Sequence, residues 1–402
     1  MMISLRRIGI ALATAAAMAL AAGSATAQGV KIGLNTDMSG MQSTLTGAAA
    51  VHAVNMAIED FGKPLFGKPV EMVVGDNQTK ADLSVSLSRR WFENEGVDAI
   101  VGINLTPAAV QVAHLAERFN KVAMISDAGS TRIVQQECTP NHVLWGWNTY
   151  AFAALAVKTM LESGKKRFFF IAVDYAYGHD MIKDATALIE KGGGQVVGSA
   201  LHPIGASDYA SHLLKAQSSK ADAIFVISFG LDTMATVKQA AEFGILQKQA
   251  VIPAVFTLQD IDALGLDITQ GLYVPVSYFW DRDDGTRDFA IRFEKRAGKK
   301  PNYFIAQTYS STLNYLRAVE KAGSKDGKVV VQTLKEMKID DMFAKNAYVR
   351  ADGQLIHDMY LTQIKSPKES RGKWDYEKVA ATQPGDAVYQ PADPQACKIL
   401  KK

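Results

Sequence analysis

Short β-rich runs alternate with helix-length amphipathic runs along most of this chain, and that alternation constrains the fold more than any other feature. Residues 30–36, 70–75, 98–101 and 122–126 read as strands. Helical periodicity fills 44–61 and 81–95, and Pro107 opens a further helix at its favoured first position. After Trp147 the rhythm restarts. Helices at 152–162, 181–191, 209–217 and 233–243 interleave with strands at 168–173, 196–200, 223–228 and 251–255. Strands this short, each followed by a helix, predict parallel sheets covered by helices, and the restart predicts a second sheet.

From Gly271 the pattern loosens. A strand at 271–276 leads into the polar stretch 281–287, then helices near 288–297, 303–322 and 329–337. Residues 348–350 and 355–364 flank the turn Ala351-Asp352-Gly353, a hairpin signal. Beyond Ser366 the chain is polar and weakly periodic, and reads as a tail wrapping the surface.

The chain has 402 residues, more than one hydrophobic core supports, so two lobes are expected. Its net charge of +3 is too small for a polyanion clamp, which argues against nucleic acid as a partner. Residues 1–27 carry Arg6 and Arg7, an apolar run rich in Ala, and the small-residue site Ala25-Thr26-Ala27, the pattern of a cleaved secretory leader. No Cys stands at that site, and no later run is long enough to span a bilayer. A soluble periplasmic protein is expected. Cys138 and Cys397 are the two cysteines; a long-range disulfide suits an oxidising compartment, with two buried thiols as the alternative.

Catalytic and cofactor signatures fail. The sequence has no GxSxG, HExxH, GxxxxGK[ST] or GxGxxG. Gly192-Gly193-Gly194 follows a helix and precedes a strand, the reverse of a phosphate cradle, so it reads as helix-stop punctuation. His179 and His202 have no partner at metal-ligand spacing. No cofactor, metal or enzyme activity is expected.

The informative chemistry sits after the strands, where open α/β sheets bind ligands. In the first half these loops are small and polar: Asp37 to Thr44, including Ser39 and Met41; Gly102 to Thr106, including Asn104; and Asp127 to Thr131, including Ser130. One such loop is ordinary N-capping, but three together suggest donors gathered for an anion. In the second half the loops are aromatic. Asp174-Tyr175-Ala176-Tyr177-Gly178 and Phe229-Gly230-Leu231-Asp232 are followed by Phe256 and by Tyr278-Phe279-Trp280. A polar edge facing an aromatic edge suits a small ligand with an anionic end and an apolar body.

With its leader followed by VKIGLNTDMSG, and with VDAIVGINLTPAAVQVAHLAE, VAMISDAGST, FFFIAVDYAYGHD and IGASDYASHLLKAQSSKADAIFV, the chain resembles the periplasmic binding proteins of branched-chain-amino-acid-type ABC importers. The resemblance implies the type I fold: two doubly wound α/β lobes joined by three crossover strands, closing on a ligand that is passed to a membrane permease. It implies discontinuous lobes, 28–147 with 276–344 and 148–275 with 345–402, in a monomer. By position, Thr106 resembles the family's hydroxyl donor to the ligand carboxylate, Ser130 and Thr131 its second hydroxyl and backbone contact, and Tyr177 the aromatic that closes over the ligand. Where the family's amino-acid binders carry an acid for the ammonium group, this chain has Ala254-Val255-Phe256. Asp232 or Asp37 could substitute from another loop. The expected ligand is therefore a small aromatic carboxylate, contacted by Tyr175, Tyr177, Phe229, Phe256, Phe279 and Trp280. A branched-chain or other amino acid is the alternative, and a ligand sensor or a periplasmic enzyme the remoter ones.

Overall fold

A computed structural model describes residues 29–401. The leader and its cleavage site after Ala27 lie outside the described residues. Five parallel strands form the first sheet: β1 (Lys31–Thr36), β2 (Glu71–Asp76), β3 (Ala99–Gly102), β4 (Val122–Ile125) and β5 (His142–Leu144), in the order β2-β1-β3-β4-β5. The second has four: β6 (Arg167–Val173), β7 (Gln195–His202), β8 (Ala223–Ile227) and β9 (Ala250–Pro253), in the order β7-β6-β8-β9, again all parallel. The two α/β lobes expected from the alternation are present. The central strands AIVG, VAMI and AIFVI are buried throughout, which is why they read as unbroken apolar runs: helices cover both faces of each sheet.

β10 (Tyr273–Val276) leaves the second lobe and is followed by helices Asp284–Ala297, Tyr303–Ala322 and Gly327–Glu336. The helix Tyr303–Ala322 is buried along most of its length against the first-lobe helix Gly47–Phe61. Next comes a small antiparallel sheet of β11 (Lys338–Ile339), β12 (Ala347–Val349) and β13 (Leu355–Ile356). β12 and β13 form the hairpin signalled by Ala351-Asp352-Gly353. Gln354 bridges to Leu144, which attaches this small sheet to β5. The run read as one strand at 355–364 breaks at His357-Asp358. Its second part, β14 (Met359–Ile364), pairs with β10 on one side and with β15 (Glu377–Gln383) on the other.

β15 corrects the reading of the tail as aperiodic. Its sequence, EKVAATQ, is mostly exposed, so only the ladder with β14 makes it a strand. β5 was also missed, being three residues long. Cys138 and Cys397 are bonded, with Cα atoms 5.6 Å apart, which ties the tail to the edge of the first lobe. Beside the first passage between lobes, Asn148 Nδ2 donates to Gln354 Oε1 (2.8 Å) and Gln390 Oε1 (3.1 Å), and Gln354 Nε2 donates to the Gly146 carbonyl (2.8 Å). Three segments remote in sequence thus meet in one buried polar knot.

Candidate ligand-binding site

In each sheet the strand order reverses next to its first strand, between β1 and β3 and between β6 and β8. Those reversals open a crevice at the carboxyl ends of the strands. The two crevices face each other and leave a narrow cavity between them. From the first lobe it is lined by Gln42, Asn104, Thr106, the segment Asp127-Ala128-Gly129, and Phe304; from the second by Tyr175, Tyr177, Phe229 and Val255, with Trp147 at the passage between them.

The local sequence explains each position. Asp37, after β1, accepts from the backbone N–H groups of Ser39 (3.2 Å), Gly40 (2.5 Å) and Gln42 (2.7 Å), and from the Thr79 hydroxyl. That folds the 38–42 loop and sets Gln42 in the wall. Asn77 Nδ2 donates to Asn104 Oδ1 (2.8 Å), which leaves the Asn104 amide N–H groups for the cavity. A Cβ on Gly129 would lie 2.4 Å from the Trp147 ring, so glycine is what lets the indole lie against this backbone. Trp147 stacks on Phe152 (centroids 4.4 Å) and meets Tyr177 edge-on at 6.1 Å. Tyr177 and Tyr175 each meet Phe229 edge-on, at 6.3 and 5.9 Å.

Polar satisfaction marks this cavity. Among the described residues, buried atoms without a hydrogen-bond partner include Gln42 Nε2, Asn104 Nδ2, Trp147 Nε1, the Tyr177 hydroxyl and Asp127 Oδ2, all on lining residues. Each such atom costs about 1–3 kcal/mol while it stays unpaired, so their concentration here is a demand for a polar ligand. Four of the five can donate, and neither Lys, Arg nor His lines the space. The fifth belongs to Asp127, 3% exposed, whose Oδ1 accepts from Ser126 Oγ (2.9 Å) and Thr308 Oγ1 (3.2 Å). Burial pushes its carboxyl up to about 7, against those two hydrogen bonds.

Of the residues singled out in the sequence, Asn104, Thr106, Tyr175, Tyr177 and Phe229 line the cavity, and Tyr175 reaches the Thr106 hydroxyl. Tyr177 lies in the first turn of helix Ala176–Lys191, not in a loop. Ser130 and Thr131 do not line it. Ser130 Oγ donates to Asp180 Oδ2 (2.5 Å) and Thr131 Oγ1 to Asp184 Oδ2 (2.9 Å), both on that second-lobe helix. Arg132 forks onto the two Asp180 oxygens at 2.7 Å each. This segment clasps the lobes together.

Ser39 is exposed and donates to Asp76 (2.6 Å). Met41 packs across the cleft mouth, its carbonyl so near Gly230 that a Cβ there would sit 2.4 Å away. Asp232 accepts from the Gly205 N–H (2.9 Å), and Asp37 is taken up by three backbone N–H groups and the Thr79 hydroxyl. Phe256 and Trp280 border a separate small cavity with Tyr278, Tyr303 and Glu377, and Phe279 is half-buried outside both. The sequence reading passed over Gln42, Asp127, Trp147 and Phe304 as wall residues. An acid directly after the apolar strand VAMIS was the one legible hint.

Two lobes that grip a cavity between sheet edges make this a two-lobed solute-binding protein. The chain belongs to the periplasmic binding protein family, whose model matches residues 29–373. A periplasmic binding protein from Burkholderia mallei is similar over 92% of this chain and 99% of its own, at 40% identity and a TM-score of 0.89. A branched chain amino acid ABC transporter periplasmic ligand-binding protein from Burkholderia xenovorans follows at 36% identity, covering 90% and 97%, with a TM-score of 0.82. The Leu/Ile/Val-binding protein homolog 6 of Brucella melitensis is 26% identical over 64% of this chain, a match that spans 66% of that relative's length.

Proposed function

We propose that this protein is the solute-binding component of an ABC importer. It works in the periplasm after removal of residues 1–27, as a monomer, and hands a small carboxylate with an apolar, aromatic body to a membrane permease. The observation that carries this reading is the set of four unpartnered donors around an aromatic-walled cavity that has no fixed cation. Neutral donors hold an anion without a salt bridge, each contributing roughly 1.5–3 kcal/mol in such dry surroundings. Tyr175, Tyr177, Phe229, Trp147 and Phe304 supply ring faces and edges for the body. The lobes close about the passages at residues 147–150, 276–279 and, in place of the 344/345 boundary expected from the resemblance, 357–358, between β13 beside β5 and β14 beside β10.

An amino acid is the second reading, supported by the unpartnered Asp127 oxygen, which could face an ammonium group, and by the names of the relatives. The test is a thermal-shift screen of benzoate-type acids against leucine, valine and phenylalanine, followed by scattering. A ligand at 100 times its dissociation constant adds about 2.7 kcal/mol. Stabilisation by aromatic acids with compaction of the particle is expected; tight leucine binding without aromatic-acid binding overturns the aromatic reading.

A further inference from the structure

We propose that Asp127 enters the complex as a neutral acid, donating its Oδ2 hydrogen to the solute's carboxylate, so that each anion is captured together with one proton from solvent. This rests on the reading of the ligand as a carboxylate and names the residue that makes a site without fixed cations hold an anion.

The geometry of the carboxyl is the first support. Oδ1 already accepts from Ser126 and Thr308, while Oδ2 is buried in the cavity wall with no donor. An ionised carboxylate needs donors at both oxygens, whereas a carboxylic acid needs donors only at its carbonyl oxygen, here Oδ1, and an acceptor for its one O–H. The arrangement matches the acid: two donors on Oδ1, and none at the buried Oδ2 of this wall residue. With that hydrogen in place all five unpartnered atoms of the wall are donors, a uniform lining for an anion. With it absent, the wall sets a charge against the incoming carboxylate in dry surroundings.

The neighbours agree. In the cavity the other titratable groups are Tyr175 and Tyr177, whose phenols burial holds protonated. On the helix above, Tyr309 turns to Asp60, and Asp341 accepts from Ser310. The loop after β1 offers Asp37, engaged by Ser39, Gly40, Gln42 and Thr79; the loop after β3 carries no charged side chain. Beyond Gly129, Arg132 is taken up by Asp180, and Asp184 faces Thr131 and Thr149. Among the described residues no cation reaches Asp127 to hold it ionised, and burial raises its carboxyl to about 7. The sign follows. Anion binding is strongest where Asp127 is already protonated, below 7, and weakens as pH rises through that value.

The experiment is calorimetry with benzoate and, in parallel, leucine, at pH 5.5 and 8.0, on the wild type and on Asp127→Asn. Each titration is run in two buffers of different ionisation enthalpy so that protons can be counted. Benzoate should bind the wild type roughly tenfold more tightly at pH 5.5, since about one molecule in ten holds the proton one unit above its pKa. Close to one proton should be taken up at pH 8.0. Asp127→Asn, which keeps the shape and offers a permanent N–H donor, should bind benzoate equally at both pH values with no proton uptake. That variant also separates Asp127 from Asp184, whose carboxyl burial likewise raises at the lobe contact. Benzoate binding that is independent of pH, with compaction, overturns this inference and leaves the carboxylate reading standing. Leucine binding that is tighter at pH 8.0 and abolished by Asp127→Asn overturns both, by making Asp127 the partner of an ammonium group. The proton count on the wild type stands even if the variant folds poorly.

Discussion

Asp180→Asn tests the clasp that holds the closed lobes. Asp180 sits on the second-lobe helix and receives Arg132 Nε and Nη2 at 2.7 Å each and Ser130 Oγ at 2.5 Å, all from the first lobe. Its side chain is 12% exposed and that of Arg132 40%. A charge-assisted hydrogen bond contributes roughly 1.5–3 kcal/mol when dry, but the half-wet guanidinium screens this pair. Asparagine keeps one acceptor and loses the charge, so the closed state should lose about 1–2 kcal/mol. Because Asp180 does not line the cavity, the loss appears as a smaller binding-competent fraction, weakening every ligand by the same factor, about 5- to 30-fold. Calorimetry on two chemically distinct ligands reads the factor, and scattering of the free protein should show a more open particle. Arg132→Ala added to Asp180→Asn should cost little more than either alone, since the two share one contact. Unchanged affinities, or a factor that differs between ligands, would refute the reasoning.

Replacing Cys138 and Cys397 by Ser opens a loop of 259 residues; the chain-entropy relation gives about 5–6 kcal/mol of lost stability, read as a lower Tm with ligand affinity unchanged, and a Tm within a degree of the wild type would contradict it. Glu377 is buried at the end of the tail strand and burial raises it to about 7, against an ordinary 4.5. The folded state therefore favours its neutral form: that contribution is whole below about 4.5 and is lost as pH rises through 7. Glu377→Gln should accordingly match the wild type at pH 3.5 and exceed it by about 3 kcal/mol at pH 8, and a variant equally shifted at both pH values would show that Glu377 is not the titrating group.

The repeating strand–helix rhythm dictated two parallel sheets, because helix-covered strands must be apolar on both faces and such runs are visible in AIVG, VAMI, FFFIAV and AIFVI. The rule that ligands bind beyond strand ends then located Asn104, Thr106, Tyr175, Tyr177 and Phe229. Local sequence carried no sign of β15, since EKVAATQ becomes a strand only by pairing with β14, nor of Trp147 as a cavity wall, since a tryptophan at a lobe boundary reads equally as core. Ser130 and Thr131 show the limit most clearly. Their hydroxyls suit an anion, but helix Ala176–Lys191, about fifty residues on, delivers Asp180 and Asp184 to them and turns a binding motif into a clasp. Asp127 shows the converse. Its place directly after an apolar strand was a hint, but only the packing of β3, β4 and helix Tyr303–Ala322 around it leaves one oxygen buried and unpartnered on a residue of the cavity wall. Periodicity along the chain fixes which residues leave water; which polar groups then find partners depends on distances between segments, and those exist only once the lobes have closed.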